Sequence, residues 1–378
     1  MAGATILGGI AGPELSRAER DFFRAADPWG FILFARNVDT PDRLRRLTAE
    51  LREAVGRNAP VLVDQEGGRV QRMRAPHWTD WPAPLDQAGR GERAVWLHHH
   101  LLAQELRAVG IDADCAPVLD IARDETHPFL KNRCLGSDAE TVIRLGRAAA
   151  QAMLAAGVLP VVKHMPGHGR ARVDSHKDLP VVEASLDELR ASDFAPFRAL
   201  ADLPMAMTAH IRFTAIDDAP ATASAPVIEM IRCEIGFDGL LMSDDIGMQA
   251  LSGSPAERAA AAIAAGCDLV LSCNETLAQM DEIVAAAGAM SPRAALRAEA
   301  QAAATAAAMR EVPIFGSDVS HRMVDFAQRN AERAGVAGRV QLRGGDALQR
   351  MPPSERPGVM LLNPPYGVRI APGGFAGA

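Results

Sequence analysis

The chain has 378 residues, of which 48% are hydrophobic and 23% are charged, and its formal net charge is −7. This length and composition suit one large globular domain with a smaller second unit, and the acidic balance argues against a nucleic-acid-binding surface. The sequence contains no membrane-length apolar run, and residues 1–10 have no basic start typical of a signal peptide. We therefore expect a cytoplasmic protein without a membrane span.

Neither the cysteines nor the histidine triplet forms a metal-binding or disulfide pattern. The triplet His98, His99 and His100 points in directions about 100° apart on a helix, so it cannot converge on one ion, and we predict a solvated helix face. The cysteines are scattered without a Cys-x-x-Cys pair, which predicts buried free thiols in a reducing compartment. They are Cys115, Cys134, Cys233, Cys267 and Cys273.

Eight short apolar segments alternate with segments of helical patterning. The apolar segments lack polar alternation, as is typical of strands buried on both faces of a parallel sheet. They cover residues 5–10, 31–34, 61–64, 113–120, 159–164, 205–210, 240–244 and 268–273. The helical segments, several opened by Asp, Ser or Pro, cover residues 41–55, 93–109, 139–156, 186–200, 255–265 and 277–287. Eight such units predict a parallel (β/α)8 TIM barrel.

Polar side chains follow the predicted strands at their carboxyl ends, where barrel enzymes carry their chemistry. Any one of them, taken alone, could equally be a structural residue that closes a strand. Their repeated placement nevertheless predicts an active site at this end of the barrel. They are Asp64, Glu66, Asp120, Lys163, His164, His210, Asp244, Asp245 and Asn274.

The pattern of alternating apolar and helical segments ends after residue 290. An alanine-dominated helix is predicted at 294–308, followed by strands at 313–318, 339–344 and 359–363 around one amphipathic helix at 321–334. We therefore predict two domains, a TIM barrel at 1–310 and a small incomplete α/β unit at 311–378.

Four motifs in the barrel resemble the signatures of family 3 glycoside hydrolases, specifically the bacterial β-N-acetylglucosaminidases that recycle cell-wall fragments. The resemblance covers about residues 1–310. Its departures, Met165, Gly247 and the segment 132–136, replace no group that would do chemistry. The motifs are Asp-Gln-Glu-Gly-Gly-Arg-Val-Gln-Arg at 64–72, Lys-His-Met-Pro-Gly-His-Gly at 163–169, Asp-Ser-His at 174–176 and Ser-Asp-Asp at 243–245.

The resemblance implies a retaining hydrolase in which Asp244 is the nucleophile and His176, supported by Asp174, is the acid/base. An imidazole with a pKa of about 6.5 can donate and accept a proton at neutral pH, and a carboxylate fixes its orientation. Asp245, the next strand residue, should point away from the sugar. Without its motif, His176 would read as a surface histidine in a glycine-rich turn.

Five further residues match positions that hydrogen-bond sugar hydroxyls in the family: Asp64, Arg72, Arg133, Lys163 and His164. Charge-assisted hydrogen bonds in a partly dry pocket suit a polyhydroxylated ligand. We interpret His168 as loop scaffolding and His210 as a buried strand-end residue that lines the pocket.

The expected substrate is a small N-acetylglucosaminyl sugar, a free disaccharide or a muropeptide. The chemistry requires no cofactor or metal, and we expect no nucleic-acid or membrane partner. The sequence leaves the oligomeric state open, with a monomer as the simplest expectation.

The C-terminal segment resembles part of a class I methyltransferase that acts on RNA or DNA amino groups. The resemblance rests on Phe-Gly-Ser-Asp at 315–318 and Asn-Pro-Pro-Tyr-Gly at 363–367. The glycine-rich cofactor loop expected about twenty residues before Asp318 is absent, and the chain stops soon after Tyr366. We expect an inactive methyltransferase fragment. The alternative function for the chain is methyl transfer to, or binding of, a nucleic acid through residues 312–370.

Overall fold

The computed structural model describes residues 2–175, 177–308, 314–333 and 340–345 of the chain. The chain divides into two compact units, Met1–Met309 and Arg310–Ala378. In the first unit, eight parallel strands close into a barrel in the spatial order β1-β10-β9-β7-β5-β4-β3-β2. These strands are β1 Gly3–Leu7, β2 Pro28–Leu33, β3 Val61–Val63, β4 Ala113–Asp114, β5 Leu159–Met165, β7 Met205–Thr208, β9 Leu240–Asp245 and β10 Leu269–Ser272. A separate parallel pair joins β6 Val181–Val182 to β8 Arg212–Phe213.

Helices follow the barrel strands along the chain. They are α1 Arg17–Ala26, α2 Pro41–Val55, α3 Pro84–Ala88, α4 Glu92–Ala108, α5 Pro128–Lys131, α6 Ala139–Ala155, α7 Leu186–Ala191, α8 Ala195–Ala199, α9 Ala225–Met230, α10 Pro255–Ala265, α11 Leu277–Ala287 and α12 Pro292–Ala308. Within the described ranges, none of these helices combines the length and hydropathy that a bilayer crossing requires.

Each of the eight predicted apolar segments overlaps one barrel strand, so the TIM barrel is confirmed. Every residue of β2, β3, β5, β7 and β10 is buried, as expected for strands covered by helices outside and packed side chains inside. The bounds of α2, α10 and α11 agree with the predicted helices. Their ends are set by local chemistry: Thr40 caps α2 by accepting from the backbone N–H of Arg43, and Gly56 ends it in the left-handed region at φ 65°.

Prolines explain two places where the predicted bounds are wrong. The strand predicted at 113–120 is reduced to β4 because Pro117 has no N–H to donate to a ladder. The chain nevertheless continues beside β5, where the backbone N–H of Leu119 donates to the Lys163 carbonyl at 2.7 Å. The helix predicted at 186–200 is divided into α7 and α8, and Pro196 stands in the first turn of α8.

Two burial predictions are also wrong. His98 and His99 are 4% and 2% exposed, because α4 packs between α3 and α6 and so buries a wide arc of its surface. The imidazoles are tolerated inside because His98 Nδ1 lies 2.6 Å from Gln87 Nε2 and His99 Nδ1 lies 2.9 Å from the Val95 carbonyl. All five cysteines are free, and four are buried as predicted, but Cys233 is exposed.

The buried histidines predict an acid-sensitive barrel. Burial lowers the pKa of His98 to about 3 and that of His99 to about 4. Below the unfolded pKa of about 6.5 the unfolded chain binds protons that the folded chain does not, so stability falls as the pH drops towards 4. The expected loss is roughly 1.4 kcal/mol per histidine per pH unit in this window.

Thermal unfolding between pH 7.5 and pH 4.5 tests this expectation. The His99→Gln variant keeps a donor for the Val95 carbonyl and should lose less stability on acidification than the wild type. The His77→Gln variant, which removes an exposed histidine, should follow the wild type. Parallel curves for all three proteins would contradict the assignment.

The described part of the second unit is a parallel two-stranded sheet with one helix. The strands β11 Ile314–Asp318 and β12 Val340–Gly344 pair in register from Ile314 with Val340 to Asp318 with Gly344, and α13 His321–Arg333 connects them. The strand predicted at 359–363 lies outside the described residues. The observed β-α-β order agrees with the predicted α/β extension.

Candidate active site

The polar residues singled out in the sequence lie at the carboxyl ends of the barrel strands. Asp64 and Glu66 follow β3, Asp120 follows β4, Lys163 and His164 are in β5, His210 follows β7, and Asp244 and Asp245 end β9. Because parallel strands end at one rim of the barrel, these residues gather at that rim.

A buried ionic cluster forms one side of this site. Lys163 Nζ lies 2.9 Å from Asp64 Oδ1 and 2.6 Å from Glu66 Oε1. The Arg133 guanidinium binds Glu66 through two hydrogen bonds, of 2.8 Å from Nε and 2.7 Å from Nη2. Arg72 Nη2 donates to Asp64 Oδ2 at 3.0 Å. Four of the five predicted sugar-contact residues therefore belong to one network, with Glu66 at its centre.

The electrostatics of the cluster fix its charges. Burial alone would raise the pKa of Asp64 and Glu66, but the neighbouring Lys163, Arg72 and Arg133 outweigh it. They hold the pKa of Asp64 well below its usual value and lower that of Glu66 to about 2. In the same way, burial would lower the pKa of Lys163, and the two carboxylates reverse this and raise it. At neutral pH all these groups are charged, so any hydrogen bond they make to a ligand is charge-assisted.

The loop that carries Arg72 is held by Gln65, whose side chain bridges its two ends. Gln65 Oε1 accepts from the backbone N–H groups of Arg72 at 2.8 Å and Met73 at 3.1 Å. The Gln65 backbone N–H donates to Asp114 Oδ1 at 2.8 Å. Gly67 turns the loop at φ 96°, where a Cβ would lie 2.4 Å from the Pro82 carbonyl oxygen. The guanidinium of Arg72 is therefore presented to Asp64 by a rigid turn.

His164 is oriented by Asp120. Asp120 Oδ2 lies 2.7 Å from His164 Nδ1, and Asp120 Oδ1 accepts the backbone N–H of His168 at 2.7 Å. His164 Nε2 lies 3.4 Å from Arg133 Nη2. A carboxylate at Nδ1 favours the tautomer with its proton there, which leaves Nε2 as the acceptor. Burial would raise the pKa of Asp120, but His164 and the backbone donor at His168 outweigh it and lower the pKa.

Asp120, His164 and His168 also form a group with the donor types of a metal site. Their ligand atoms lie within 4.8 Å of one another, and all three residues are buried. Neither ring nitrogen of His168 has a hydrogen-bond partner among the described residues, and burial lowers the pKa of this histidine to about 4. A neutral His168 is a competent ligand. However, the Asp120 oxygens already accept three N–H groups, an arrangement that serves to orient His164.

Asp244 lies at the end of β9, and its Oδ1 accepts the backbone N–H of Asp245 at 2.8 Å. The preceding side chain, Ser243, points into the sheet and accepts the Leu271 N–H at 2.9 Å. Burial would raise the pKa of Asp244, but the nearby His210 and His164 outweigh it and lower the pKa. Asp244 is therefore a carboxylate at neutral pH.

The Asp245 side chain accepts hydrogen bonds from the backbone of two neighbouring loops. Its Oδ1 accepts the N–H groups of Gly247 at 3.0 Å and Cys273 at 3.2 Å. Burial, with Glu275 nearby, raises the pKa of Asp245 to about 7. A Cβ at Gly247 would lie 2.3 Å from Glu275 Oε1 and 3.2 Å from Asp245 Oδ1, so glycine leaves room for this carboxyl pair.

His210 is fully buried and linked to the same strand end. Its Nδ1 lies 2.8 Å from Thr222 Oγ1, and its Nε2 lies 2.9 Å from the Asp245 carbonyl oxygen. His210 thus has both ring nitrogens hydrogen-bonded beside Asp244, in agreement with its interpretation as a buried strand-end residue.

Asp174 is half-buried in the loop that follows β5. Its carbonyl oxygen accepts the backbone N–H groups of Lys177 at 2.9 Å and Asp178 at 3.1 Å, so a tight turn begins at this residue. The loop is anchored upstream at Gly169, where a Cβ would lie 2.2 Å from the Ile121 carbonyl oxygen. His176 lies outside the described residues.

The fold and the site together define a barrel enzyme with an ionised, half-buried acid at the same rim as a charged hydrogen-bonding cluster. The family model for the glycosyl hydrolase family 3 N terminal domain matches residues 15–305. The chain belongs to this family and is a glycoside hydrolase. A second model, the RMKL-like methyltransferase domain, matches residues 271–374.

Relatives and solved structures agree with the family. A β-hexosaminidase of Alkalilimnicola ehrlichii is 42% identical over 71% of this chain and 80% of its own. One from Pseudomonas aeruginosa is 39% identical over 73% of this chain and 83% of its own.

Among solved structures, NagZ from Neisseria gonorrhoeae in complex with N-trifluoroacetyl-D-glucosamine is 31% identical with a TM-score of 0.72, and the match covers 89% of this chain and 97% of that one. A family 3 β-N-acetylglucosaminidase from Paenibacillus has 31% identity and a TM-score of 0.75, covering 88% and 67%.

Proposed function

We propose that this glycoside hydrolase is a retaining β-N-acetylhexosaminidase that releases terminal N-acetylglucosamine from peptidoglycan-derived fragments. The observation that carries the proposal is the position of the ionised Asp244 at the rim of the barrel. The same rim contains the ion pairs of Asp64 with Lys163 and Arg72 and the ion pair of Glu66 with Arg133. The relatives named β-hexosaminidase, and the N-acylated glucosamine bound by a solved relative, support the choice of sugar.

In this proposal the sugar ring lies against the ionic cluster. Asp64 accepts hydrogen bonds from ring hydroxyls, Lys163, Arg72 and Arg133 donate to hydroxyl oxygens, and His164 uses the edge that carries Nε2. The cluster is already assembled and charged, so little reorganisation is needed when the sugar binds.

Hydrolysis then takes two displacements. A carboxylate oxygen of Asp244 bonds to the anomeric carbon while the glycosidic bond breaks and His176 protonates the departing oxygen. Water next attacks the anomeric carbon, His176 takes its proton, and the bond to Asp244 breaks. Asp174 supports the imidazolium form of His176, which is present before the first displacement and forms again when His176 takes the proton of water in the second. Two inversions give a product that retains the β configuration.

Release of 4-methylumbelliferone tests the activity and the sugar specificity. The full chain should hydrolyse the β-N-acetylglucosaminide and leave the β-glucoside almost untouched, and it should release N-acetylglucosamine from a muropeptide. Hydrolysis of the glucoside alone, or of neither compound, would reject the proposal.

The nucleophile and the proton donor are protein groups, so the proposed reaction needs no cofactor or metal. We propose a cytoplasmic monomer with domain boundaries at 1–310 and 311–378. Size-exclusion chromatography tests the monomeric state, and cell fractionation tests the cytoplasmic location. Limited proteolysis tests the domain boundary near residue 310.

The alternative function rests on the methyltransferase-like residues at 271–374. Strand β11 carries Asp318 at its carboxyl end, as a ribose-binding acid requires. The preceding residues 302–308, however, are alanines and one threonine in α12, with no glycine to seat a cofactor. We therefore expect calorimetric titration of the full chain with S-adenosylmethionine to show no binding. Micromolar affinity would restore the alternative.

A further inference from the structure

One cation at the rim of the site, Arg69, has no acidic partner in the part of the chain that the structure describes. Arg69 is exposed on the loop after β3, with its guanidinium carbon 4.0 Å from the centroid of the Phe129 ring. Its Nη2 donates to the Phe129 carbonyl oxygen. Among the described residues, no carboxylate lies within ion-pair distance of Arg69. Its neighbours Arg72 and Arg74 each have one, Asp64 at 3.0 Å and Asp80 at 3.4 Å.

The Phe129 ring lies between Arg69 and Arg133, a member of the ionic cluster. The guanidinium carbon of Arg133, which holds Glu66, lies 5.3 Å from the same ring centroid. The negative charge of Asp174 also acts on Arg69 and raises the pKa of its guanidinium. Arg69 therefore lies within electrostatic reach of both the ionic cluster and the loop proposed to carry the acid/base, which is where a leaving group must lie.

The electrostatic balance at Arg69 favours an anion. Partial burial lowers the pKa of this guanidinium, and the positive charge of Arg133 lowers it further. Glu66 and Asp174 act in the opposite direction but do not reverse the lowering, and the salt bridges of the described residues include none to Arg69. A guanidinium lying flat on an aromatic ring still offers N–H groups at its edge, in the geometry that matches a carboxylate.

We propose that Arg69, seated on Phe129, forms the aglycone subsite and binds a carboxylate of the sugar residue next to the scissile bond. This inference rests on the proposed function and makes it more specific. A muramyl aglycone has such a group, either as its free lactyl carboxylate or as a carboxylate of the peptide attached to the lactyl group. The net charge of −7 would otherwise disfavour such an acidic substrate, so a local cation at the rim has a clear role.

The Arg69→Gln variant of the full chain tests the proposal with four substrates. Two are neutral, N,N′-diacetylchitobiose and the methyl ester of N-acetylglucosaminyl-N-acetylmuramic acid. Two are acidic, the same disaccharide with a free lactyl carboxylate and its form with an acidic dipeptide. We expect kcat/KM to fall about tenfold or more on one or both acidic substrates, mostly through KM, and to change less than about twofold on the neutral ones.

The Arg74→Gln variant is the matched control, because it removes an exposed arginine from the same loop that already pairs with Asp80. It should treat all four substrates like the wild type, and Arg69→Lys should recover part of the loss. A response to the free acid identifies the lactyl carboxylate, and a response to the peptide form alone identifies the peptide.

Equal losses on neutral and acidic substrates, or no loss in Arg69→Gln, would overturn the subsite. A wild-type protein that cleaves none of the four would instead reject the proposed function itself.

Discussion

Replacing Asp244 with alanine should lower kcat by about 10⁴-fold or more, because Asp244 is the group proposed to form the covalent bond to the anomeric carbon. Asp244 is the acid at the end of β9 whose pKa is lowered beside His210 and His164. Steady-state hydrolysis of an aryl N-acetylglucosaminide measures the loss. Added azide should restore turnover of a dinitrophenyl substrate and give the α-glycosyl azide, since a single displacement inverts the configuration.

The matched control for this experiment is Asp245→Asn. The asparagine oxygen can still accept the N–H groups of Gly247 and Cys273 that Asp245 accepts. We expect it to cost less than about tenfold in kcat. A larger loss in Asp245→Asn than in Asp244→Ala would exchange the roles of the two acids.

Replacing His176 with alanine should produce a loss that depends on the leaving group. A dinitrophenolate departs without a proton, so its release should slow less than about tenfold, whereas a sugar aglycone should suffer a loss of about 10²- to 10⁴-fold. Azide should accelerate the variant and give the β-glycosyl azide, because the covalent intermediate still forms on Asp244. Burst kinetics with both classes of substrate measure the two steps separately.

The same series assigns Asp174. Asp174→Asn should show the same leaving-group dependence as His176→Ala with a smaller loss, since it weakens the support of the imidazolium and keeps the proton donor. The exposed His77→Gln variant should behave like the wild type. If His176→Ala lost activity equally on both classes of substrate, the histidine would not be the acid.

Much of the barrel could be predicted because its strands are buried on both faces. Such strands form continuous apolar runs, and caps such as Thr40 and Ser254 mark where helices begin. Helix α1 was missed although Ser16 and Glu19 form a capping box at its start, because half of its ten residues are charged. The errors at β4 and α8 show that proline overrides an apolar or helical pattern.

The site was only partly predictable. The motifs led to the proposed sugar-contact residues, but not to the contacts that connect them: Glu66 pairs with Arg133 and Asp120 with His164, at sequence separations of 67 and 44 residues. No spacing in the sequence reveals such pairs, since they depend on which strand ends meet at the rim. His168 did have a local signal, because it follows His164 with three residues between them, a spacing that brings both imidazoles to Asp120. The fixed turn made by Gln65 is likewise a property of tertiary contacts.

Proton NMR of the sugar released in the first minutes of hydrolysis tests the double displacement on Asp244 most directly. The resonance of the β-anomer of N-acetylglucosamine should appear first, and the α-anomer should grow later at the rate of mutarotation. Initial formation of the α-anomer would show a single displacement by water and would contradict a covalent intermediate on Asp244.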